Sequence, residues 1–90
     1  KNKSSFFAKK FASKEAFAKS LGTGFRYNLN FKDIVIINDK LGKPKFKISQ
    51  KIKDLIYKKF KLKSYNFLLS ISDEKNYSIA FVIFQKNENQ

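Results

Sequence analysis

Residues 65–86 read YNFLLSISDEKNYSIAFVIFQK, and this stretch decides the fold class. Two runs rich in aromatic and β-branched residues flank Asp73-Glu74-Lys75-Asn76, four residues with turn chemistry. The pattern predicts strands over Tyr65–Ser72 and Tyr77–Lys86, joined as an antiparallel hairpin. Ile79–Phe84 is the longest uninterrupted apolar run. It suits a buried strand and is far shorter than the ~18 residues that span a bilayer. An unpaired edge on such a strand invites pairing with a second copy, so a homodimer is compatible with the pattern.

Upstream, Ser49 is positioned to cap a helix over about residues 50–60. Ile52, Leu55, Ile56 and Phe60 recur there at helical spacing against a lysine-rich remainder. Asn38–Pro44 carries turn residues, and Lys45–Ile48 alternates as a short strand. Further back, Phe25, Tyr27, Leu29 and Phe31 alternate with Arg26, Asn28, Asn30 and Lys32. That alternation predicts a half-buried strand, with a break in phase at Lys32–Asp33 before the apolar run Ile34–Ile37. The rings of this strand are first of all a core face; exposed, they would form a stacking platform.

At the N-terminus a Phe-Ala-Lys tetrad repeats within FFAKKFASKEAFAKS, residues 6–20. The spacing predicts a helix over residues 5–20, capped by Ser4 or Ser5 and stopped by Gly22. Phe6, Phe7, Phe11, Phe17, Ala18 and Leu21 fall within an arc of about 140° and form its packing face. Lys10 and Lys14 intrude into that arc. Either their stems snorkel to a rim or Ser13 caps a second short helix, and the intrusion counts against a membrane-surface helix. Gly22-Thr23-Gly24 lacks a preceding strand and a following Gly-Lys-Ser/Thr, so it reads as a helix stop rather than a phosphate loop. The order α-β-β-α-β-β predicts an α+β fold, a four- or five-stranded, mostly antiparallel sheet with two helices packed on it. All of it belongs to one small basic domain over residues 1–90.

The chain carries 20 Lys and Arg against seven Asp and Glu, a net charge of +13, and has neither His nor Cys. The usual general base, the thiol nucleophile and most transition-metal ligands are therefore missing. No catalytic residue, metal or cofactor is expected, and the protein is read as a non-enzyme. A His-independent RNase toxin, with Tyr57 and Tyr65 beside Lys59 and Lys61, stays open as an exception. Residues 1–20 share the basic, acid-poor character of a transit peptide but lack its arginines and cleavage pattern. Numbering that opens on Lys1 without Met suggests a trimmed or processed N-terminus, and a cytoplasmic location is expected.

Charge is unevenly placed. Residues 1–20 hold six lysines against Glu15, residues 21–39 are neutral, and residues 40–63 hold ten lysines against Asp54. Such asymmetry points toward a polyanionic partner. The candidate binding residues are Lys43, Lys45, Lys47, Lys51, Lys53, Lys58, Lys59, Lys61 and Lys63, extended by Arg26, Lys9 and Lys10. Tyr27 and Tyr65 are the candidate base-stacking rings. With 19 lysines and one arginine, the set suits phosphate contacts rather than base reading.

Asp39-Lys40-Leu41-Gly42-Lys43, followed by a short strand, a basic helix and a compact hairpin, resembles swapped-hairpin DNA-binding regulators of the AbrB type across residues 39–71. Ile48-Ser49 stands where that family has Ile-Pro. The resemblance implies a dimer that contacts DNA through residues such as Lys43 and Lys53. The sequence thus reads as a nucleic-acid-binding protein, for DNA or RNA, with weak sequence specificity. The alternative is an inhibitor or adaptor that docks its basic face on an acidic protein.

Overall fold

The structure, a computed structural model, describes residues 3–87. Helix α1 runs over Lys3–Ser20. Ser4 and Ser5 fall within it rather than at the position before its first residue. Ser13 does not start a second helix: its buried hydroxyl donates to the Lys9 carbonyl at 2.8 Å within one continuous helix. Eighteen residues make a rod about 27 Å long, and only its C-terminal half meets the core. Phe17, Ala18 and Leu21 are buried, whereas Phe6, Phe7 and Phe11 of the same expected arc are 57%, 75% and 53% exposed.

Residues 25–31 are not a strand. Gly22, Gly24, Tyr27 and Asn28 all take left-handed backbone, with φ between +57° and +74°, and Phe31–Asp33 forms one turn of 3-10 helix. Two consecutive left-handed residues cannot continue a pleated chain. Only Leu29 of the alternating set reaches the core, while Phe25 and Phe31 gather with Phe11 on the surface at centroid distances of 5.8 and 5.4 Å from Phe31.

Strands β1 (Val35–Asn38) and β2 (Pro44–Lys47) pair antiparallel, with Ile36 opposite Phe46. Their turn is held by Asp39, whose carboxylate accepts from the backbone N–H groups of Leu41 and Lys43, each at 2.9 Å. Gly42 at φ +86° supplies the left-handed step this turn requires. Helix α2 covers Gln50–Phe60. Ser49 Oγ caps it by accepting from the Ile52 N–H, and Lys61 in left-handed backbone ends it. Strands β3 (Tyr65–Asp73) and β4 (Ser78–Lys86) form the hairpin read from the sequence, with Phe67 opposite Phe84.

The α+β class and the element order hold. The four strands divide into two two-stranded antiparallel ladders, with β2 lying beside β3 without joining its ladder. Ile34, Phe46, Ile52 and Ile56 complete the core around Phe17 and Leu21. An aromatic chain ties the parts together: Phe17 lies 4.6 Å from Phe46 and 4.5 Å from Phe67, and Phe67 stacks on Phe84 at 4.9 Å. Among the described residues no helix is long and apolar enough to cross a membrane.

Candidate functional site

Packing α1 against both hairpins leaves a cleft of about 790 Å³ between the first half of α1, the β1–β2 turn and the end of β3. Lys9 and Lys10 enter it from α1, Lys43 from the turn, and Asp73 from the end of β3. Lys9 Nζ and the Asp73 carboxylate pair at 2.9 Å across 64 residues of sequence, each about one-third exposed. Lys10 Nζ sits 4.7 Å above the Phe6 ring, and its hydrophobic stem shares the wall with Ile36, Leu69 and Ile71. The result is a groove with apolar walls and three ammonium groups from two separate elements, one already neutralised by a carboxylate. Such a groove suits an elongated ligand that is anionic at one end and weakly polar along its length.

The remaining candidate residues do not join this group. Lys51, Lys58, Lys59 and Tyr27 line a second cleft, between α2 and the turn that follows α1. Lys53, Lys63 and Tyr65 line a third groove, where Lys63 and Lys61 lie 5.5 and 5.6 Å from the Tyr57 ring. Lys45 and Lys47 are exposed on β2, on either side of the buried Phe46. Arg26 commits its Nε to the Thr23 carbonyl at 3.0 Å, so it braces the turn. Tyr65 is half-buried against Phe67 and Phe84, and burial raises its phenol pKa. It is part of the packing rather than an open stacking ring. Tyr27, 68% exposed, is open.

Two further groups are electrostatically set. The Lys51 ammonium donates to the Asp33 carboxylate at 2.7 Å, and the Asn30 N–H donates to the same oxygen at 2.8 Å. Together they hold the Asp33 carboxyl below its ordinary pKa. Burial, followed by the nearby charge of Lys10, lowers the pKa of Lys14, whose Nζ lies 4.4 Å from the Phe31 ring. Among the described residues no three acidic side chains converge in a metal-sized cluster.

The family model described as ACPS, the 4'-phosphopantetheinyl transferase superfamily, matches residues 1–82. The chain belongs to this superfamily. It is 66% identical over 85 residues to the holo-[acyl-carrier-protein] synthase of Pelagibacter ubique, covering 94% of this chain and 66% of that protein. The corresponding enzyme of Zymomonas mobilis is 49% identical over 84 residues, covering 92% of this chain and 63% of that protein. The chain thus spans just under two thirds of the length of these curated relatives. Among solved structures, the Helicobacter pylori holo-[acyl-carrier-protein] synthase in complex with coenzyme A superposes with a TM-score of 0.77 at 30% identity, over 93% of this chain and 68% of that one. The Neisseria meningitidis enzyme gives 0.78 at 40% identity, over 90% and 62%.

These findings overturn the functional reading of the sequence. The superfamily is one of transferases, so the expectation of a non-enzyme fails. It rested on the missing His and Cys, but phosphoryl-group transfer depends chiefly on positioning and positive charge, which lysines supply. The AbrB resemblance fails as well. Here β1 with β2 and β3 with β4 pair within one chain, and the family that matches is the phosphopantetheinyl transferase superfamily instead. Nucleic acid as the partner falls with it, as do the DNA- and RNA-binding assignments. The lysines of residues 43–63 are split among separate clefts instead of forming one phosphate-tracking surface. The inhibitor or adaptor role is replaced by the transferase family. The reading also passed over Asp73, named only as a turn residue, because nothing local in the sequence signals a pair with Lys9.

Proposed function

We propose that this chain transfers the 4'-phosphopantetheinyl group of coenzyme A to an acyl carrier protein, using the cleft of Lys9, Lys10, Lys43 and Asp73. The convergence of those lysines on a groove with apolar walls is the observation that carries the reading. Coenzyme A has the matching form: phosphates at one end and an extended, weakly polar arm. Transfer breaks the bond between the phosphopantetheinyl phosphorus and the bridging oxygen of the diphosphate. A new P–O bond forms to a hydroxyl of the carrier protein, adenosine 3',5'-bisphosphate leaves, and the hydroxyl proton is released. Charge builds on the phosphoryl oxygens along this path, and fixed ammonium groups stabilise it. Asp73 anchors the Lys9 ammonium in the wall, while Lys10 and Lys43 make no ion pair among the described residues. Coenzyme A-dependent modification of a carrier protein is cytoplasmic chemistry, and this reading carries that location with it.

The test incubates the protein with coenzyme A and apo-acyl carrier protein and reads the mass of the carrier, with coenzyme A binding followed by calorimetry on the same samples. Lys10→Glu combined with Lys43→Glu is expected to abolish both signals. The same charge change as Lys53→Glu with Lys63→Glu, in the third groove, is expected to retain them. Absence of transfer by the unaltered protein, or equal loss from the two pairs, refutes the assignment.

A further inference from the structure

The second cleft shares no lining residue with the first, and its construction is unlike that of an incidental surface groove. Tyr27 and Asn28 are consecutive non-glycine residues at φ +58° and +65°, a conformation bulky side chains rarely adopt. Burial of the Tyr27 ring does not account for it, because the ring is 68% exposed. The backbone is held from beneath instead: Leu29 is buried, its N–H donates to the Arg26 carbonyl, and Arg26 is tied to Thr23. The effect is to stand an open aromatic ring at the mouth of a cleft of about 770 Å³.

Across the cleft, Lys51, Leu55, Lys58 and Lys59 form one face of α2. Lys51 is committed to Asp33, and the wall's carboxylate, Asp54, is hydrogen-bonded by Gln50 at 2.8 Å. Lys58 and Lys59 make no ion pair among the described residues, and Lys59 Nζ lies 5.7 Å from the Tyr27 ring. With Lys51 paired to Asp33, the wall keeps two ammonium groups, Lys58 and Lys59, against the single carboxylate of Asp54, and an aromatic face beside that excess of positive charge is complementary to a planar base that carries phosphate.

We infer that this cleft is a second ligand site, for a nucleoside phosphate whose base stacks on Tyr27 while its phosphates meet Lys58 and Lys59. The inference is independent of the transferase reading, since none of these residues lines the first cleft.

The experiment titrates the 15N-labelled protein with adenosine 3',5'-bisphosphate, with adenosine and with inorganic phosphate, following amide shifts. The bisphosphate is expected to move the amides of residues 23–29 and 51–59 and to bind more tightly than either fragment. Tyr27→Asn keeps a residue that tolerates left-handed backbone and removes the ring. It is expected to weaken the bisphosphate roughly tenfold, the loss of one stacked base, while leaving phosphate binding unchanged. Lys58→Glu with Lys59→Glu is expected to abolish the 23–29 shifts, and Lys10→Glu with Lys43→Glu to preserve them. Shifts confined to the first cleft, or bisphosphate binding indifferent to Tyr27→Asn, overturn the inference.

Discussion

Phe7 and Phe17 occupy equivalent places in the repeated tetrad of α1, yet the structure gives them opposite environments. Phe7 is 75% exposed; Phe17 is fully buried, with rings of Phe46 and Phe67 at 4.6 and 4.5 Å. Truncating Phe17 to Ala removes the transfer free energy of a buried ring and leaves a cavity, a combined loss of roughly 3–5 kcal/mol. The aromatic contacts to Phe46 and Phe67 lie within that range rather than beyond it. A 90-residue domain holds only about 5–13 kcal/mol in total, from roughly 0.05–0.15 kcal/mol per residue. Phe17→Ala is therefore expected to leave a marginal fold, with Tm lowered by about 12–40 °C at roughly 4–8 °C per kcal/mol. Phe7→Ala should stay within about 0.5 kcal/mol, as for a surface position. Urea and thermal unfolding followed by circular dichroism measure both. Comparable losses from the two variants would refute the placement of α1, because they would require its N-terminal half to be packed as tightly as its C-terminal half.

The Asp33–Lys51 contact makes a pH prediction. A carboxyl held below its ordinary value of 3.8 contributes stability in full above that value and loses it as pH falls through the folded-state pKa. Asp33→Asn should thus lower the urea midpoint at pH 7, and the difference from the unaltered protein should close toward pH 2; a gap that persists at pH 2 would contradict the assignment. A second prediction concerns the outer face of the β3–β4 hairpin, where Leu68, Ile79, Phe81 and Ile83 are exposed among Asn66, Ser70, Ser72 and Gln85. It is a neutral, apolar strip on a chain of net charge +13, so two copies can approach there without meeting like charge. Sedimentation is expected to show self-association that Phe81→Glu abolishes, and a concentration-independent monomer would sink the idea.

What could be read from the sequence followed the range of the interactions involved. The β3–β4 hairpin and α2 were legible to within a residue or two because alternation, a four-residue turn and the Ser49 cap are local signals. Residues 25–31 were misread because period-2 alternation is compatible with a strand but not sufficient for one. The left-handed steps at Tyr27 and Asn28 are fixed by tertiary anchoring of Leu29, which leaves no mark on hydrophobic pattern. The α1 face was half right for the same reason. Spacing defines which residues share a side, but only the neighbouring elements decide how much of that side is covered. The first cleft was the least legible part, since its defining Lys9–Asp73 pair joins residues 64 apart in the sequence.

The functional error was one of geometry rather than of charge. An ammonium group attracts phosphate in the same way whether the phosphate belongs to a polymer or to a small cofactor. What separates the two is whether the cations lie along a continuous stripe or face one another across a concavity. Lysines spread through residues 43–63 look like a stripe when written out in line. The turn before β2, the buried Phe46 and the cap of α2 each redirect the chain, so Lys43 meets Lys9 and Lys10 of α1, Lys58 and Lys59 face Tyr27, and Lys53 and Lys63 share a third groove. A long polyanion would have to bend around three faces to use them together. A compact phosphate ester needs only one.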